Sequence, residues 1–333
     1  MNFLTNKTIL ITGGTGSFGN KFVEIALKFN PKKIIIFSRD EFKQYQMSEK
    51  FRYHKKFKNL RFFLGDIRNY ERLKLALIGV DIIIHAAALK IVDTAEYNPV
   101  ESINTNINGA QNIITAALDN NVDKVINIST DKAVNPINLY GATKLAADKL
   151  FVAANNYSGK NFRTKFSIVR YGNVVSSRGS VIPFFKKLIK DKSSSLPITD
   201  SQMTRFWIKL DEGVKFVISS IEKMRGGEIF IPKMPSVLIT DLAKSLAPKL
   251  KLRIVGIRPG EKLHEVLCSQ DDSIFVYESF DSYIILPSIF LEEFKKYNYV
   301  LNSKKFKKVK KDFQYDSKTN KQFLKIKEIR KFI

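Results

Sequence analysis

Cysteine and histidine are scarce in this sequence of 333 residues, and their scarcity excludes several kinds of protein. The one cysteine, Cys268, has no partner for an internal disulfide, so the protein is expected to work in a reducing compartment. The three histidines lie far apart and lack HExxH spacing, and one thiol cannot supply a thiolate zinc site. We therefore expect neither a metal site nor zinc-dependent hydrolysis.

Long hydrophobic runs are absent as well. No apolar segment approaches the roughly 18 residues that are needed to cross a membrane. The N-terminus leads at once into the apolar segment 8–12, which leaves no room for the hydrophobic region of a secretory signal. These features predict a cytoplasmic protein without a membrane partner.

Acidic residues are few compared with basic ones. The sequence has 56 Lys and Arg against 32 Asp and Glu, a net charge of +24 that raises the question of nucleic-acid binding. Residues 301–333 hold eleven lysines and Arg330 against three acidic residues, and the rest of the excess is scattered. Scattered charge favours a solvated basic surface, so we expect a phosphate-bearing substrate and no nucleic-acid partner.

Hydrophobic residues make up 44% of the sequence, enough for a globular core. In the first half, short apolar segments alternate with amphipathic helical patterns. Strands are predicted at 8–12, 33–37, 60–64, 81–85, 124–129 and 166–170. Apolar strands separated by helices indicate an α/β fold with a doubly wound parallel Rossmann sheet that is covered on both faces.

The domain boundaries follow from a change of rhythm after Tyr171, where prolines separate shorter elements. We predict a Rossmann domain at 1–170 that binds NADP. A smaller C-terminal α/β domain at 171–290 is predicted to bind the substrate, with some exchange of chain between the two. Residues 291–333 are predicted to form a basic tail.

A glycine fingerprint follows the first predicted strand and precedes a helical stretch at 21–29. Such a loop permits a tight turn, a close approach of backbone to pyrophosphate and close packing of helix on strand. The N–H groups of the following helix are presented to the anion. The residues predicted to bind a dinucleotide here are Gly13, Gly16, Ser17, Phe18 and Gly19.

The end of the second strand bears on the choice between NADP and NAD. Arg39, with Lys43 one helical turn later, can hold a 2′-phosphate by charge-assisted hydrogen bonds, which favours NADP. In the alternative, both are surface charges and Asp40 selects NAD through the ribose hydroxyl. We also assign to the cofactor site Asp66, next to Ile67 and placed to meet the adenine, and Ala86, although a helix N-cap would explain Asp66 nearly as well.

Tyr140 and Lys144 are four residues apart in a predicted helix, so they share one helical face. Thr130 ends the strand before them. Downstream of a glycine fingerprint, this YxxxK pair resembles the extended short-chain dehydrogenase/reductase family. The resemblance implies that Tyr140 exchanges a proton with a sugar hydroxyl. It also implies that Lys144 holds the cofactor ribose and favours the phenolate, since a phenol with a pKa of about 10 needs a nearby cation to act as a base.

Further blocks extend the resemblance over roughly residues 7–268. They lie at 11–19, 38–41, 85–90, 135–144, 170–174 and 256–265. Within the family they resemble the C5-inverting UDP-N-acetylglucosamine 4,6-dehydratases of pseudaminic acid biosynthesis. This implies UDP-N-acetylglucosamine as the substrate, NADP as the cofactor and a homo-oligomer, either a dimer or a hexamer.

Asp131 and Lys132, directly after a strand, separate this activity from related ones. A reductase or a 4-epimerase needs only proton exchange at one hydroxyl and hydride transfer, whereas a dehydratase also needs a base for the C5 hydrogen and an acid for the C6 hydroxyl. The resemblance implies Asp131 as the acid, Lys132 as the base and Thr130 as a hydrogen-bond partner of the sugar. As a base, Lys132 requires a pKa lowered by burial or by Lys144; the alternative is a surface lysine.

Five more residues resemble substrate contacts of the family: Lys90, Asn173, Arg205, Arg258 and Glu261. Arginine matches phosphate oxygens and a carboxylate accepts ribose hydroxyls, so the last three suit a nucleoside diphosphate. In the alternative, Arg258 and Glu261 pair with each other on a Pro-Gly turn.

Three other functions stay open at this point. Within the family, the alternatives are a UDP-hexosamine 4-epimerase and a 4,6-dehydratase that retains the C5 configuration. From a different class, the sequence could encode a non-catalytic dinucleotide-sensing protein that binds nucleic acid through its basic surface. The intact acid-base set at 131, 132, 140 and 144 argues against the latter.

Overall fold

The computed structural model describes residues 2–157, 163–175, 180–288 and 296–333. Its strands are β1 Thr8–Thr12, β2 Lys33–Ser38, β3 Leu60–Leu64, β4 Ile82–His85, β5 Lys124–Thr130, β6 Lys165–Tyr171, β7 Asn173–Val174, β8 Ser195–Ile198, β9 Thr204–Ile208, β10 Ile229–Pro232, β11 Ser236–Leu238, β12 Lys251–Ile254, β13 Val266–Cys268, β14 Val276–Glu278, β15 Ser282–Ile285, β16 Lys307–Lys308 and β17 Tyr315–Asp316. Its α-helices are α1 Ser17–Ala26, α2 Glu41–Phe51, α3 Tyr70–Ala76, α4 Val92–Tyr97, α5 Pro99–Ile103, α6 Gly109–Asp119, α7 Leu139–Ala153, α8 Val181–Lys190, α9 Leu210–Lys223, α10 Ile239–Leu246, α11 Asn298–Leu301 and α12 Ile326–Phe332.

The central sheet has ten strands in the order β16-β14-β15-β10-β6-β5-β4-β1-β2-β3. The seven strands from β10 to β3 are parallel, and β15, β14 and β16 add an antiparallel edge. This confirms the predicted α/β class and doubly wound sheet. The six predicted strands are confirmed as β1 to β6, with ends that differ by at most one residue.

Both faces of the sheet are buried, because side chains on a strand alternate between them. Ile9 of β1 packs on one face with Phe22 of α1, and Leu10 packs on the other with Ile113 of α6. Helix α1 begins at Ser17, four residues before the predicted stretch, and a 3₁₀ turn follows it at Leu27–Phe29. Since α1 follows β1 and α6 follows β4, neighbouring strands send their connections to opposite faces, and this opens a crevice at their carboxyl ends.

A second group of elements covers this crevice. Strands β7, β9 and β11 form a small sheet, and β8 pairs with β12. Phe185 of α8, Trp207 of β9 and Leu242 of α10 fill a separate core there. Strands β10, β14, β15 and β16 return to the central sheet. The chain therefore passes between the two parts more than once after residue 171.

The C-terminal segment is folded onto the second part. Helix α12 packs on α10, with Ile329 buried and Phe332 stacked on Trp207 at 6.2 Å between ring centroids. Strand β17 pairs with β13. The predicted boundary between 290 and 291 lies outside the described residues, but residues 315–332 are an integral part of the fold. None of the described helices has the length and apolar character of a membrane span.

Candidate active site

A cavity of about 1230 Å³ lies at the carboxyl ends of the parallel strands, between the central sheet and the second part. Most of the predicted site residues line it. They are Gly13, Gly16, Ser17, Phe18, Arg39, Asp40, Lys43, Asp66, Ile67, Ala86, Lys90, Thr130, Lys132, Tyr140, Lys144, Asn173, Arg205, Arg258 and Glu261. Gly19 and Asp131 are the two that do not, because both are buried beneath the wall.

The glycine loop forms one end of the cavity mainly from backbone. Gly13 has φ +63°, and a Cβ there would lie 3.0 Å from the backbone nitrogen of Ala87. A Cβ on Gly19 would lie 2.1 Å from the carbonyl oxygen of Gly14, so this glycine serves the packing of α1 on the loop rather than ligand contact. Gly16 is the N-cap of α1 and directs the helix N-terminus to the cavity. This cradle fits a pyrophosphate.

Thr12 joins the ends of β1 and β4 below the cavity. Its hydroxyl accepts hydrogen bonds from the backbone N–H groups of Ala86 at 3.1 Å and Ala87 at 3.2 Å, and it lies 2.9 Å from Nδ1 of His85. Burial, and to a smaller extent the charge of Lys144, lowers the pKa of His85 to about 3. The imidazole is therefore neutral at physiological pH and acts as a structural group.

Ion pairs occupy the predicted adenosine end. Asp40 caps α2 by accepting from the backbone N–H of Lys43 at 2.9 Å, and it also pairs with the Lys43 ammonium. Arg39, whose side chain is 50% exposed, lies 3.5 Å from Asp66. Asp66 accepts from the backbone and guanidinium of Arg68. The N-cap alternative for Asp66 is wrong, because Asn69 caps α3.

Helix α7 carries the predicted Tyr-Lys pair, and its first turn is held by both parts of the molecule. The side chain of Asn138 accepts from the N–H of Gly141 at 2.7 Å and donates to the carbonyl oxygen of Gly260 at 2.7 Å. A Cβ on Gly141 would lie 2.2 Å from the carbonyl oxygen of Lys132. The absence of a side chain there brings the start of α7 against the turn at Asp131–Ala133, and so sets Tyr140 beside Lys132.

Two lysines, Lys132 and Lys144, bear on the charge of Tyr140. Burial raises the pKa of Tyr140 to about 12, and Lys132 is the cation that acts against burial. Lys144 instead donates to Oδ1 of Asn127 at 3.4 Å, and burial lowers the pKa of its ammonium group against the attraction of Asp148. Lys132 is thus a cation that favours the phenolate, and the same role for Lys144 stays a prediction.

Asp148, which sequence reasoning missed, centres a buried network under Lys144. It accepts from Asn127 at 3.1 Å and Ser129 at 2.7 Å, and it pairs with Arg170 at 3.3 Å. Its position four residues after Lys144 on the same helical face was the available signal. The network fixes the ends of β5 and β6 relative to α7.

Asp131, Lys132 and Glu265 form the centre of the reacting end. Nζ of Lys132 lies 3.0 Å from Oδ1 of Asp131, 3.2 Å from Oε1 of Glu265 and 3.4 Å from Oδ1 of Asn173. Asp131 also accepts from the hydroxyl of Thr130 at 2.8 Å. Because β5 ends at Thr130 and a 3₁₀ turn follows, Lys132 reaches the cavity while Asp131 lies under it.

The pKa of Lys132 is raised, whereas its predicted role as a base requires a lowered pKa. Burial alone lowers the pKa of Lys132, but Asp131 and Glu265 outweigh it and raise that pKa above its ordinary value. A surface lysine is excluded as well, since the side chain is 23% exposed and forms two salt bridges. In the free protein Lys132 is therefore an ammonium held between two carboxylates.

Arg205 and Glu261 form the opposite wall. Arg205 donates to the carbonyl oxygens of Thr204 at 2.8 Å and Leu263 at 3.1 Å, and it pairs with Glu261 at 3.3 Å. The predicted alternative, a pair between Arg258 and Glu261, is wrong for the side chains; only the N–H of Glu261 meets Arg258, at its carbonyl oxygen. Arg258 remains exposed at the rim.

Lys90 and Lys262 add positive charge to the cavity. Desolvation, followed by the charge of Lys132, lowers the pKa of Lys90. Lys262 donates to the carbonyl oxygen of Val134 at 2.6 Å and ties the second part to the loop after β5. Lys262 and Glu265 stand in one of the motif blocks, but nothing in their spacing marked them individually. Among the described residues, no cluster of His, Cys, Asp and Glu is placed to bind a metal ion.

A Rossmann sheet with a glycine loop at its crevice and a Tyr-Lys pair on the helix after β5 defines an extended short-chain dehydrogenase/reductase. Residues 9–287 match the family described as polysaccharide biosynthesis protein, and the chain belongs to that family.

The comparisons with known proteins point within this family. The UDP-N-acetylglucosamine 4,6-dehydratase (inverting) of Campylobacter jejuni subsp. jejuni serotype O:23/36 (strain 81-176) is 57% identical over 326 residues, which cover 97% of this chain and 96% of that one. The UDP-glucose 4-epimerase of Rickettsia canadensis (strain McKiel) is 46% identical over 275 residues, 80% of this chain and 79% of the epimerase. The X-ray structure of Pen from Bacillus thuringiensis superimposes with a TM-score of 0.89 at 37% identity and covers 99% of this chain and 98% of that one.

Proposed function

We propose that this protein is a UDP-N-acetylglucosamine 4,6-dehydratase that inverts C5 and produces a 4-keto-6-deoxy-L-arabino sugar nucleotide. The observation that carries the proposal is the Asp131–Lys132 pair beside Tyr140, since a second acid and base are needed only when water is eliminated. The relative that is 57% identical bears this name.

The cofactor is a nicotinamide dinucleotide, and we propose NADP. The cradle made by Gly13 and the N-terminus of α1 would hold its pyrophosphate, and Arg39 its 2′-phosphate. When bound, the cofactor supplies a reversible hydride acceptor, which takes hydride from C4 and returns it at C6. Arg39 is half exposed at the cavity wall, whereas Asp40 is already engaged as a helix cap.

Residues of the second part of the molecule would bind the nucleoside diphosphate of the substrate. Arg205 and Arg258 suit the two phosphates, and Glu261 suits the ribose hydroxyls of uridine. Lys90 and Asn173 line the cavity near Lys132 and would contact the sugar.

Proton transfer begins at C4 of the sugar. Tyr140, as the phenolate, takes the proton of the C4 hydroxyl as hydride leaves C4; burial raises the pKa of this phenol, and the positive charge of Lys132 acts against burial. The C4 ketone then acidifies the neighbouring C5 hydrogen. Lys144, held by Asn127, is placed on the same face of α7 to bind the cofactor ribose.

One proton transfer prepares both groups for elimination. Moving a proton from Nζ of Lys132 to Oδ1 of Asp131, across 3.0 Å, gives a neutral amine and a carboxylic acid at once. The amine removes the C5 proton, and the acid returns a proton to the departing C6 hydroxyl, which leaves as water. Because Asp131 is buried, its proton passes through Thr130, which lines the cavity and donates to Asp131 at 2.8 Å. The pair then has its original ammonium and carboxylate. As C6 gains hydride, C5 takes a proton from solvent, and Tyr140 releases to solvent the proton that it took from the C4 hydroxyl, so that each group returns to its starting state.

A UDP-hexosamine 4-epimerase is the second candidate, because a relative named UDP-glucose 4-epimerase is 46% identical over 80% of the chain. Epimerisation uses Tyr140 and the cofactor but gives the Asp131–Lys132 pair no task. The two activities differ in the mass of the product, since an epimer keeps the mass of its substrate and a dehydratase product is lighter by one water.

The deciding experiment is mass spectrometry of the purified protein incubated with UDP-N-acetylglucosamine and no added reductant. We expect the product to be lighter than the substrate by one water. When the reaction is run in D₂O, the product should carry one solvent deuterium at C5, and proton NMR should show the L-arabino configuration. A product of unchanged mass would identify an epimerase. A dehydrated product with unchanged C5 configuration would identify the retaining enzyme.

The proposed function also bears on the cellular compartment and the oligomeric state of the protein. We place the enzyme in the cytoplasm, in pseudaminic acid biosynthesis, and expect a homo-oligomer. Exposed apolar side chains on α4 and α5, Tyr97 and Val100 among them, support an oligomer. Sedimentation velocity distinguishes a dimer from a hexamer, and a monomer would contradict this part of the proposal.

A further inference from the structure

Glu265 is a buried carboxylate at the reacting end that the mechanism above does not use. The residue is 2% exposed, and its Oε1 lies 3.2 Å from Nζ of Lys132 and 3.8 Å from Nε of Arg205. Its other oxygen, Oε2, is buried without a hydrogen-bond partner. Because an incompletely bonded buried charge is costly, such a group is more often kept for function than for stability.

The backbone of Glu265 is fixed by the C-terminal segment. Its N–H donates to the hydroxyl of Ser317 at 2.9 Å, and the N–H of Ser317 donates to its carbonyl oxygen at 2.8 Å. The Ser317 hydroxyl also contacts that of Thr204 at 2.7 Å. Glu265 thus reaches Lys132 from a scaffold independent of β5, the strand that precedes Lys132.

We propose that Glu265 is a positioning residue that holds Nζ of Lys132 at the cavity wall beside Arg205. The inference rests on the proposed function, in which Lys132 removes the C5 proton. A lysine side chain has several rotatable bonds, and Asp131 binds it only from below, within the same turn. Glu265 provides a second anchor from across the cleft, and it links that anchor to the arginine expected to hold the diphosphate.

The pKa of Lys132 is a measure of its contact with Glu265. The titratable and charged groups that face Lys132 are Asp131 in its own turn, Tyr140 on α7, Lys90 after β4, Arg205 on β9, and Lys262 and Glu265 before β13. Among them only the two carboxylates raise the pKa of Lys132, and the neighbouring cations lower it. Removing the charge of Glu265 therefore increases the neutral fraction of Lys132 at any alkaline pH.

The first test needs no substrate. Acetylation by an N-hydroxysuccinimide ester at alkaline pH is followed by peptide mass spectrometry, and labelling of Lys132 is expressed relative to Lys144 in the same molecule. In Glu265→Gln we expect this ratio to rise about 10-fold, the effect of about one pKa unit. The matched control is Glu278→Gln, which removes a carboxylate 2.7 Å from Lys233. An unchanged ratio would overturn the proposal. This includes the case in which the variant is loosened as a whole and both lysines are labelled faster to the same extent.

The second test separates positioning from a structural role. With UDP-N-acetylglucosamine, Glu265→Gln should lower kcat about 10-fold with little change in KM. The rate of C4 oxidation, followed by the transient absorbance of reduced cofactor, should fall much less, because Tyr140 rather than Lys132 is the base of that step. Glu265→Asp, which keeps the charge, should recover part of kcat. Equal losses in oxidation and elimination would contradict the inference. If the wild-type protein eliminates no water, the proposed function fails, and the labelling ratio still decides the contact between Glu265 and Lys132.

Discussion

The two ends of the cavity are built in different ways. The end near β1 and β2 is made of backbone, with Gly13 and the N-terminus of α1 in one continuous strand-loop-helix unit. The reacting end is made of side chains from distant segments, with Lys132 after β5, Arg205 on β9 and Glu265 before β13. A backbone site needs only local turns, whereas a side-chain site depends on the complete fold.

Charge is also handled differently at the two ends. Arg39 and Lys43 pair with carboxylates at the surface, where such pairs contribute little to stability and stay free to exchange partners. Lys132 and Arg205 meet carboxylates in a largely buried cluster, where removing one partner leaves an uncompensated charge. We therefore expect the nucleotide end to tolerate charge substitution better than the reacting end.

The largest effect is expected from Tyr140→Phe at the reacting end. Loss of the phenol removes the base for the C4 hydroxyl, so C4 oxidation and product formation should both fall by on the order of 10³-fold. Single-turnover absorbance of the reduced cofactor measures the oxidation. Tyr283→Phe, a buried phenol away from the cavity, is the matched control. Wild-type oxidation in Tyr140→Phe would remove the tyrosine from the mechanism.

Lys132→Ala should block the later step. We expect water loss, followed by mass spectrometry, to fall by on the order of 10²-fold or more, because the C5 base is gone, while cofactor binding persists. The substitution also leaves Asp131 and Glu265 unpaired, so the melting temperature should fall too. Lys233→Ala breaks an ion pair outside the cavity and serves as the control. Unchanged turnover would refute Lys132 as the C5 base.

At the nucleotide end, Gly13→Ala tests a backbone contact. Residue 13 has φ +63°, and a Cβ there would lie 3.0 Å from the backbone of Ala87. Alanine should therefore displace the loop and weaken cofactor binding roughly 10- to 30-fold. Gly79 has φ +70° with open space around its Cβ, so Gly79→Ala carries the strain without the close contact. Titration calorimetry should show weaker cofactor binding for Gly13→Ala alone; equal affinities in the two variants would show that the close contact at Gly13 does not shape the cofactor site.

Arg39→Ala should give the smallest effect, because the side chain is half exposed. We expect NADP affinity to fall about 5- to 10-fold and NAD affinity to change little, since one charge-assisted contact to the 2′-phosphate is lost. Arg52→Ala, which breaks an exposed pair with Glu49, is the control. Equal losses for both cofactors, or a wild-type preference for NAD, would overturn the choice of NADP.

Much of the fold and half of the site were predictable from the sequence. Apolar segments such as 8–12 and 81–85 predicted their strands because buried parallel strands are apolar along nearly their whole length. The protonation of Lys132 was not predictable, because its pKa depends on Glu265, more than 130 residues away in sequence and brought close by the β13–β17 pair. The alternative pairing of Arg258 with Glu261 was wrong for the same reason, since Glu261 pairs with Arg205 on β9.

Local patterns in the sequence were enough to predict the order of strands and helices along the chain and the glycine cradle. They also predicted a tyrosine, a lysine and an acid-base pair around the end of β5 and the start of α7. These features depend on interactions between residues close in the chain. The complete fold was needed to show that Asp131 lies beneath the wall and that Glu265 and Arg205 lie beside Lys132. The physical reason is that the energy of a buried charge is set by whichever groups the complete fold brings within a few ångströms.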